Sequence, residues 1–560
     1  MIRGAAWVAA LAFLLATAGT AAAQSPQAGS AGSLGAGLPS TPAAPDQLSL
    51  PASDDEPPAG RGLTARRVGA IASRLDDVRK ERRRFPGSTR EVFLKGSDRW
   101  QVSYFAKVPV GTPRKEIAQV LIDDPSGRVL EHWTGYKVAW TMARGYEGAF
   151  GRIVNAPWVW IPLAVLFVLP FVTPRRPWRV LHLDLLVLSG FSMSLAFFNA
   201  ARIDVSVPLI PPLLAYLLGR MLWIGLRRRG AAEEQRRPLA LLVPVSWLAI
   251  ALIFLLGFRV ALNVTNSNVI DVGYAGVIGA DRLVDGKKLY GAFPSDNASG
   301  DTYGPVVYEA YVPFEQTLTW SGGWDELPAA HAAAIAFDLL ACLLCFLVGR
   351  RVRGPDLGIV LAYAWAAYPF TLYTQMSNAN DALVAVLVLA ALWAAGSAPG
   401  RGAFVALAGL TKFAPLALAP LFATYPHLRP RTVAMFGAGF VAAAVLAFAP
   451  IIAHDDLRSF WDATVAFQAQ RGSPFSLWGL YDPGWLDTIQ LGIQILTVVL
   501  ALALAVVPRR RDLVGLSACA AAILITLQLG VTHWFYLYIP WFFPLVMLAL
   551  VGRHGPPRRA

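Results

Sequence analysis

Apolar stretches of roughly twenty residues recur along this chain, each closed by a short polar or basic segment. They fall near 156–173, 179–199, 206–225, 238–258, 328–348, 356–375, 381–397, 431–452, 487–507, 512–531 and 535–552. A run of ~20 apolar residues crosses the ~30 Å hydrocarbon core of a bilayer as a helix, so the pattern predicts about eleven spans. A further apolar segment, 402–424, is broken by Lys412 and Pro415. It is expected to enter and leave on one side, as a hairpin of two short helices turning around Thr411 and Lys412. Irregular, polar backbone is tolerated at membrane depth where protein or a cavity surrounds it.

The first 150 residues follow other patterns. Residues 1–23 read as a signal peptide: Arg3, an apolar stretch from Ala5 to Ala16, then Ala21-Ala22-Ala23 before Gln24. Residues 24–62 are rich in Pro, Gly, Ser and Ala without apolar periodicity, the composition of a disordered linker. Residues 63–150 predict a small α+β extracytoplasmic module. A basic helix from Thr64 to Arg83 precedes strands at 91–94, 100–105 and 118–122, with a turn at Asp124-Pro125-Ser126-Gly127. The membrane domain occupies 151–552, and 553–560 form a basic tail on the cytoplasmic side.

Composition agrees with a polytopic membrane protein. Of 560 residues 55% are hydrophobic and only 15% charged, and the mean hydropathy is +0.48. A soluble domain needs more charge on its surface. The net charge of +13 is no nucleic-acid signal. The cations cluster beside apolar runs, as at Arg175-Arg176, Arg227 to Arg229, Arg350 to Arg353 and Arg509 to Arg511, and such clusters mark cytoplasmic loops. Counting spans from an outside N-terminus puts each cluster inside only if 402–424 does not cross. Loops 260–326 and 454–487 then face outward. The three cysteines, Cys342, Cys345 and Cys519, sit in apolar runs and make neither a disulfide framework nor a metal site.

The chemistry-bearing residues gather in the outer loops. An apolar helix ending near Arg259 leads to Asn266-Ser267-Asn268-Val269-Ile270-Asp271, and the loop continues to Asp285-Gly286-Lys287-Lys288-Leu289-Tyr290 and Tyr303-Gly304-Pro305. Asp271, a few residues beyond a membrane exit, is the candidate general base, with helix capping as the plain alternative. Lys412 is a charge within an apolar segment, costly unless paired or facing a cavity. Arg471 is a candidate phosphate ligand, since a guanidinium matches phosphate oxygens bidentately. Tyr290, Tyr303 and Tyr308 are candidates to line a ligand site. Asn378, Asn380 and Asp381 open a span, where capping competes with contact to a ligand. No metal or other cofactor is expected. His454-Asp455-Asp456 is a single-loop run, poor support for a divalent ion.

Several motifs stand in a definite order: Asp271, Tyr274, Ala280 and Leu283 with Asp285-Gly286-Lys287-Lys288-Leu289-Tyr290; Tyr303-Gly304-Pro305; Asn380-Asp381-Ala382-Leu383; Gly409-Leu410-Thr411-Lys412-Phe413-Ala414-Pro415; and Gln470-Arg471-Gly472-Ser473-Pro474-Phe475-Ser476-Leu477-Trp478. In this order, over about residues 240–552, the chain resembles GT-C glycosyltransferases. Within them it is similar to the bacterial polyprenol-phosphate-mannose-dependent α-mannosyltransferases of glycosyltransferase family 87. The module at 63–150 resembles PepSY-type domains.

The resemblance implies an all-α polytopic GT-C-like fold in the plasma membrane with its site facing outward. A mannose-like hexose would pass by inversion from a polyprenyl-phosphate donor to an envelope glycan or glycolipid. Asp271 would be the base, and Lys412, Arg471, Tyr290, Tyr303, Asn380 and Asp381 would hold donor or acceptor. The alternatives are a transporter or lipid flippase for envelope precursors, with Lys412, Asn380 and Asp381 as a midplane site, and a non-catalytic anchor built around the 63–150 module.

Overall fold

The computed structural model describes residues 48–108, 114–145, 150–227, 239–481, 484–507 and 511–554. The expected signal peptide, residues 24–47 of the linker, Arg228, Arg229, Arg509, Arg510 and residues 555–560 of the basic tail lie outside them. The described residues fall into two compact units. One takes those up to 145 together with 198–202; the other takes the rest.

The first unit is an antiparallel meander in chain order: β1 (Leu48–Ser49), β2 (Thr89–Lys95), β3 (Arg99–Phe105), β4 (Glu116–Asp123) and β5 (Val129–Thr134). Helices Ala65–Ser73 and Asp76–Arg84 pack on it. Val68, Ala72 and Val78 meet Trp100, Val102, Val120 and Ile122 in its core. The single helix expected over 64–83 is broken at Leu75, whose extended backbone starts the second helix.

The linker boundary also moves. Residues 48–62 are part of the module: Leu48 pairs with Lys95, and the Arg61 guanidinium donates to the Arg99 carbonyl at 2.8 Å. Asp124, expected only as a turn residue, accepts the Gly62 amide at 2.7 Å and the Trp100 indole N–H at 2.6 Å. Composition alone does not report these long-range partners.

Among the described residues seven helices are long and apolar enough to cross a membrane: Val180–Asn199, Ile203–Leu226, Val245–Asn266, Pro328–Arg353, Pro430–His454, Trp485–Val506 and Leu513–Gly530. Helices Pro355–Ala367 and Pro369–Met376 make an eighth if the 57° bend at Pro369 lies within one span. The spans expected near 156–173, 381–397 and 535–552 are shorter apolar helices. Helix Asp381–Trp393 has 13 residues, only about 20 Å at 1.5 Å per residue. All of its residues but Trp393 are buried. Protein rather than lipid surrounds it, so it need not match the bilayer.

Helix Val245–Asn266 outruns its apolar stretch because its polar end is satisfied inside the bundle. The Arg259 Nε donates to Asp338 Oδ2 at 2.9 Å and its Nη1 to the Ala366 carbonyl at 3.1 Å. The Trp365 indole N–H completes Asp338 at 2.9 Å. Both charged side chains are fully buried, which is tolerable only when they are paired and hydrogen-bonded.

Segment 402–424 folds as expected in outline. Helix Ala398–Gly409 ends in a turn at 410–413, followed by the 3₁₀ segment Ala414–Leu418 and helix Ala419–Thr424. Buried Arg401 ties the arms together, donating to the carbonyls of Phe422 at 3.0 Å and Tyr425 at 2.7 Å.

Candidate active site

Three segments meet at the site. The first carries Asp271. The Asn268 and Ile270 amides each donate, at 3.3 Å, to the carbonyls of Met376 and Ser377. Asn378 fastens this docking. Its Nδ2 donates to Ser267 Oγ at 2.9 Å and to the Asn268 carbonyl at 3.0 Å, and its Oδ1 accepts from Asn263 at 2.9 Å. Asn378 adopts a left-handed φ of 48°, a conformation Asn tolerates better than most residues.

Ile270, in extended conformation, occupies the N-cap position, and Asp271 is the first residue of helix Asp271–Val284. The buried Asn297 side chain donates to the Asp271 carbonyl at 3.0 Å. The Asp271 side chain keeps some contact with solvent but is enclosed by protein on most sides. Burial pushes its carboxyl above the usual aspartate range; the Arg471 guanidinium, the Val272 amide and the Lys412 ammonium pull it back.

The second segment couples Tyr303-Gly304-Pro305 to the hairpin turn. The Gly304 amide donates to the Thr411 carbonyl and the Val306 amide to the Leu410 carbonyl, both at 3.2 Å. Pro305 then starts helix Pro305–Glu315, where its missing N–H costs nothing. Across the turn, Lys412 Nζ donates to Asp381 Oδ1 at 2.6 Å. The ammonium also lies 5.2 Å from the Tyr303 ring centre, 5.6 Å from Trp541 and 5.7 Å from Tyr538, all within cation–π range. The Trp541 indole donates to the same Asp381 oxygen at 3.1 Å.

Two polar groups beside this pair are left over. Asp381 Oδ2 and both side-chain polar atoms of Asn380 are buried without a hydrogen-bond partner among the described residues. Asn380 stands at the N-cap position of helix Asp381–Trp393, yet its side chain makes no cap hydrogen bond. The capping alternative therefore does not describe it, nor Asp381, which is spent on Lys412 and Trp541. Buried polar atoms are normally satisfied, so an orphaned amide beside an orphaned carboxylate oxygen suits a hydroxylated ligand.

The third segment brings Arg471, which follows helix Phe467–Gln470. Its guanidinium lies 5.8 Å from the Phe467 ring centre. Its charge is felt at Asp271, Tyr303, Lys412 and His533. His533 sits 2.9 Å from Ser473 Oγ; burial, then Arg471 and Lys412, hold its imidazole well below the usual histidine range. Burial likewise pushes the Tyr303 phenol up.

Asp271, Tyr303, Asp381, Lys412 and Arg471 thus share one electrostatic neighbourhood, and Asn380 adjoins it. Tyr290 does not line it. Its hydroxyl donates to the Tyr303 carbonyl at 3.2 Å, and its ring meets that of Phe460 in a T-shaped contact with centres 5.2 Å apart. Tyr308 also supports the loop, donating to the Gly300 carbonyl at 2.8 Å. Asp455 accepts the Leu289 amide at 2.6 Å and the Tyr290 amide at 3.3 Å; Asp456 caps helix Leu457–Trp461. These two carboxylates hold backbone. Asn297, Tyr538 and Trp541 join the site without a motif that marks them in the sequence. The only local hint was the dense aromatic run from Trp534 to Trp541 at the start of the last apolar segment.

Residues 302–531 match the model of glycosyltransferase family 87. The match takes in Tyr303, Asn380, Asp381, Lys412 and Arg471; Asp271 precedes it, and Tyr538 and Trp541 follow it. No curated protein matches the chain.

Proposed function

With residues 302–531 belonging to glycosyltransferase family 87, the chain is a membrane glycosyltransferase, and we propose that it moves a mannose-like hexose from a polyprenyl-phosphate donor to an envelope glycan or glycolipid. The site faces the extracytoplasmic side of the plasma membrane. The observation that carries this reading is the convergence of a largely enclosed carboxylate, Asp271, with two cations, Lys412 and Arg471.

Inverting transfer needs one base and one anion-stabilising group. Asp271 takes the proton of the acceptor hydroxyl as that oxygen attacks the anomeric carbon. The new C–O bond forms as the bond from that carbon to the phosphate oxygen breaks, and a β-linked donor gives an α-linked product. Polyprenyl phosphate leaves as an anion and needs no acid. Its charge is met by the Arg471 guanidinium and by the Lys412 protons that Asp381 does not use. A carboxyl raised by burial binds the transferred proton better than an ordinary aspartate, which favours general-base action. Asn380 and the second Asp381 oxygen are available to the donor's sugar hydroxyls.

Outward orientation is supported by the chain's own polarity. The Asp271 segment adjoins the start of helix Pro328–Arg353, where His331 Nδ1 lies 2.9 Å from Asn263. The basic cluster Arg350-Arg351-Val352-Arg353 closes its other end, the end expected in the cytoplasm.

The test is transfer from radiolabelled polyprenyl-phosphate-mannose to membrane acceptors by wild type and Asp271→Asn at equal expression. Transfer by wild type and its loss in the variant is the expected result. Equal transfer by both removes Asp271 as the base, and no transfer by wild type rejects this donor.

A further inference from the structure

A cavity of about 290 Å³ opens beside the reaction centre, between loop residues 291–302 and the segment 459–467. Ser299, Asp301, Thr302, Ser459, Asp462 and Phe467 line it. Two residues of its lining adjoin the centre. Thr302 immediately precedes Tyr303, and Phe467 carries the Arg471 guanidinium 5.8 Å from its ring centre. One wall is a π-helical turn, Asp462–Ala466, a wide turn that recurs at functional sites.

The lining has a definite chemistry. Three hydroxyls and two carboxylates surround one aromatic face, and no cation is among the lining residues. Asp301 is anchored by the Gly291 amide at 2.6 Å, and burial pushes its carboxyl up. Arg458 stands 3.8 Å from Asp462 and Lys288 donates to Ser459 at 3.0 Å, both from outside the lining. Such a wall accepts hydrogen bonds from the hydroxyls of a neutral sugar, while a ring face packs on Phe467. The volume is at the small end of the ~300–1,000 Å³ range of small-molecule sites, enough for one sugar ring and too small for a polyprenyl chain.

We infer that this cavity seats the terminal sugar ring of the acceptor, an inference that rests on the glycosyl-transfer reading. The donor phosphate lies on the Lys412 and Arg471 side, and the acceptor ring occupies the carboxylate side. No covalent step is added; the cavity orients a hydroxyl toward Asp271.

The test uses the full chain carrying Ser299→Cys in lipid nanodiscs. Ser299 is exposed, and the three native cysteines are buried, so a water-soluble maleimide reads the cavity. Octyl mannoside, glucoside and galactoside are compared with polyprenyl phosphate as protectants. The expected result is that at least one glycoside, at ten times its Kd, slows labelling by about tenfold by mass action, while polyprenyl phosphate does not. Protection by polyprenyl phosphate instead, or by no glycoside, overturns the inference. In parallel, Asp462→Asn should raise the KM for the acceptor glycoside by about tenfold, the worth of one charge-assisted hydrogen bond, and leave the donor KM unchanged. Equal shifts in both constants also overturn it. If wild type transfers nothing, the reaction reading fails on its own, and the labelling experiment still judges sugar binding.

Discussion

Gly304 lies so close to Leu410 that a Cβ added at Gly304 would stand 1.9 Å from the Leu410 carbonyl oxygen. No side chain fits there, and backbone cannot yield as a flexible side chain would. Gly304→Ala must push the Tyr303 loop off the hairpin turn that presents Lys412. Forced overpacking costs about 1–3 kcal/mol, so a lower melting temperature and a large loss of transfer are expected. Gly257→Ala in helix Val245–Asn266, where a Cβ meets nothing within 4 Å, should leave both near wild type. Equal behaviour of the two variants would mean that the contact does not matter.

The raised Asp271 carboxyl predicts a pH dependence. The proposed base acts as the carboxylate, and burial shifts its protonation to higher pH than the ~3.9 of an ordinary aspartate. Transfer should therefore fall on acidification, with an acid limb above that value. Arg471 opposes the shift, so Arg471→Gln should move the limb to still higher pH, and Arg471→Lys should restore part of it. An acid limb at the same pH in all three proteins would remove the electrostatic link.

Lys412 and Asp381 form a nearly buried pair, with side chains 11% and 1% exposed. Breaking such a pair from one side leaves an uncompensated charge and costs about 3–5 kcal/mol. Lys412→Met should lower thermal stability sharply. The double variant Lys412→Met with Asp381→Asn should recover much of that loss while transfer stays absent. Recovery of transfer in the double variant would show that the ammonium has no part in the reaction.

Asn378 tests whether Asp271 is positioned from below. Asn378→Gly preserves the left-handed backbone and removes the side-chain hydrogen bonds to Asn263, Ser267 and Asn268. A displaced base should lower kcat by about ten- to a hundredfold with KM little changed. Asn378→Val, β-branched at a positive φ, should also fold poorly. An unchanged kcat in Asn378→Gly would assign the latch a role in folding alone.

Hydropathy carries most of the membrane unit because a lipid-facing helix must be apolar whatever its neighbours. It fails where neighbours replace lipid. Helix Val245–Asn266 continues past Arg259 because Asp338, distant in sequence, neutralises that arginine. Helix Asp381–Trp393 is short because protein encloses it. The Pro369 bend could have been read from the proline itself.

At the site, Asp271, Lys412 and Arg471 stand out in the sequence as charges in polar loops or apolar segments. Their spatial meeting, the pairing of Lys412 with Asp381 and the latch at Asn378 depend on contacts between remote segments. Tyr290 illustrates the converse. An interfacial tyrosine looks the same in sequence whether it faces a ligand or, as here, holds up the Tyr303 carbonyl.

The docking of residues 268–270 on 376–377 has a consequence for how the enzyme can work. The residues that follow on either side, Asp271 and Asp381, hang from one hydrogen-bonded seam, and Lys412 is held by the second of them. The spacing between the Asp271 carboxylate and the Lys412 ammonium is thus tied to a single seam. Arg471 comes from a separate segment, after helix Phe467–Gln470. Variants that stiffen that segment should narrow the range of acceptors before they slow the best one.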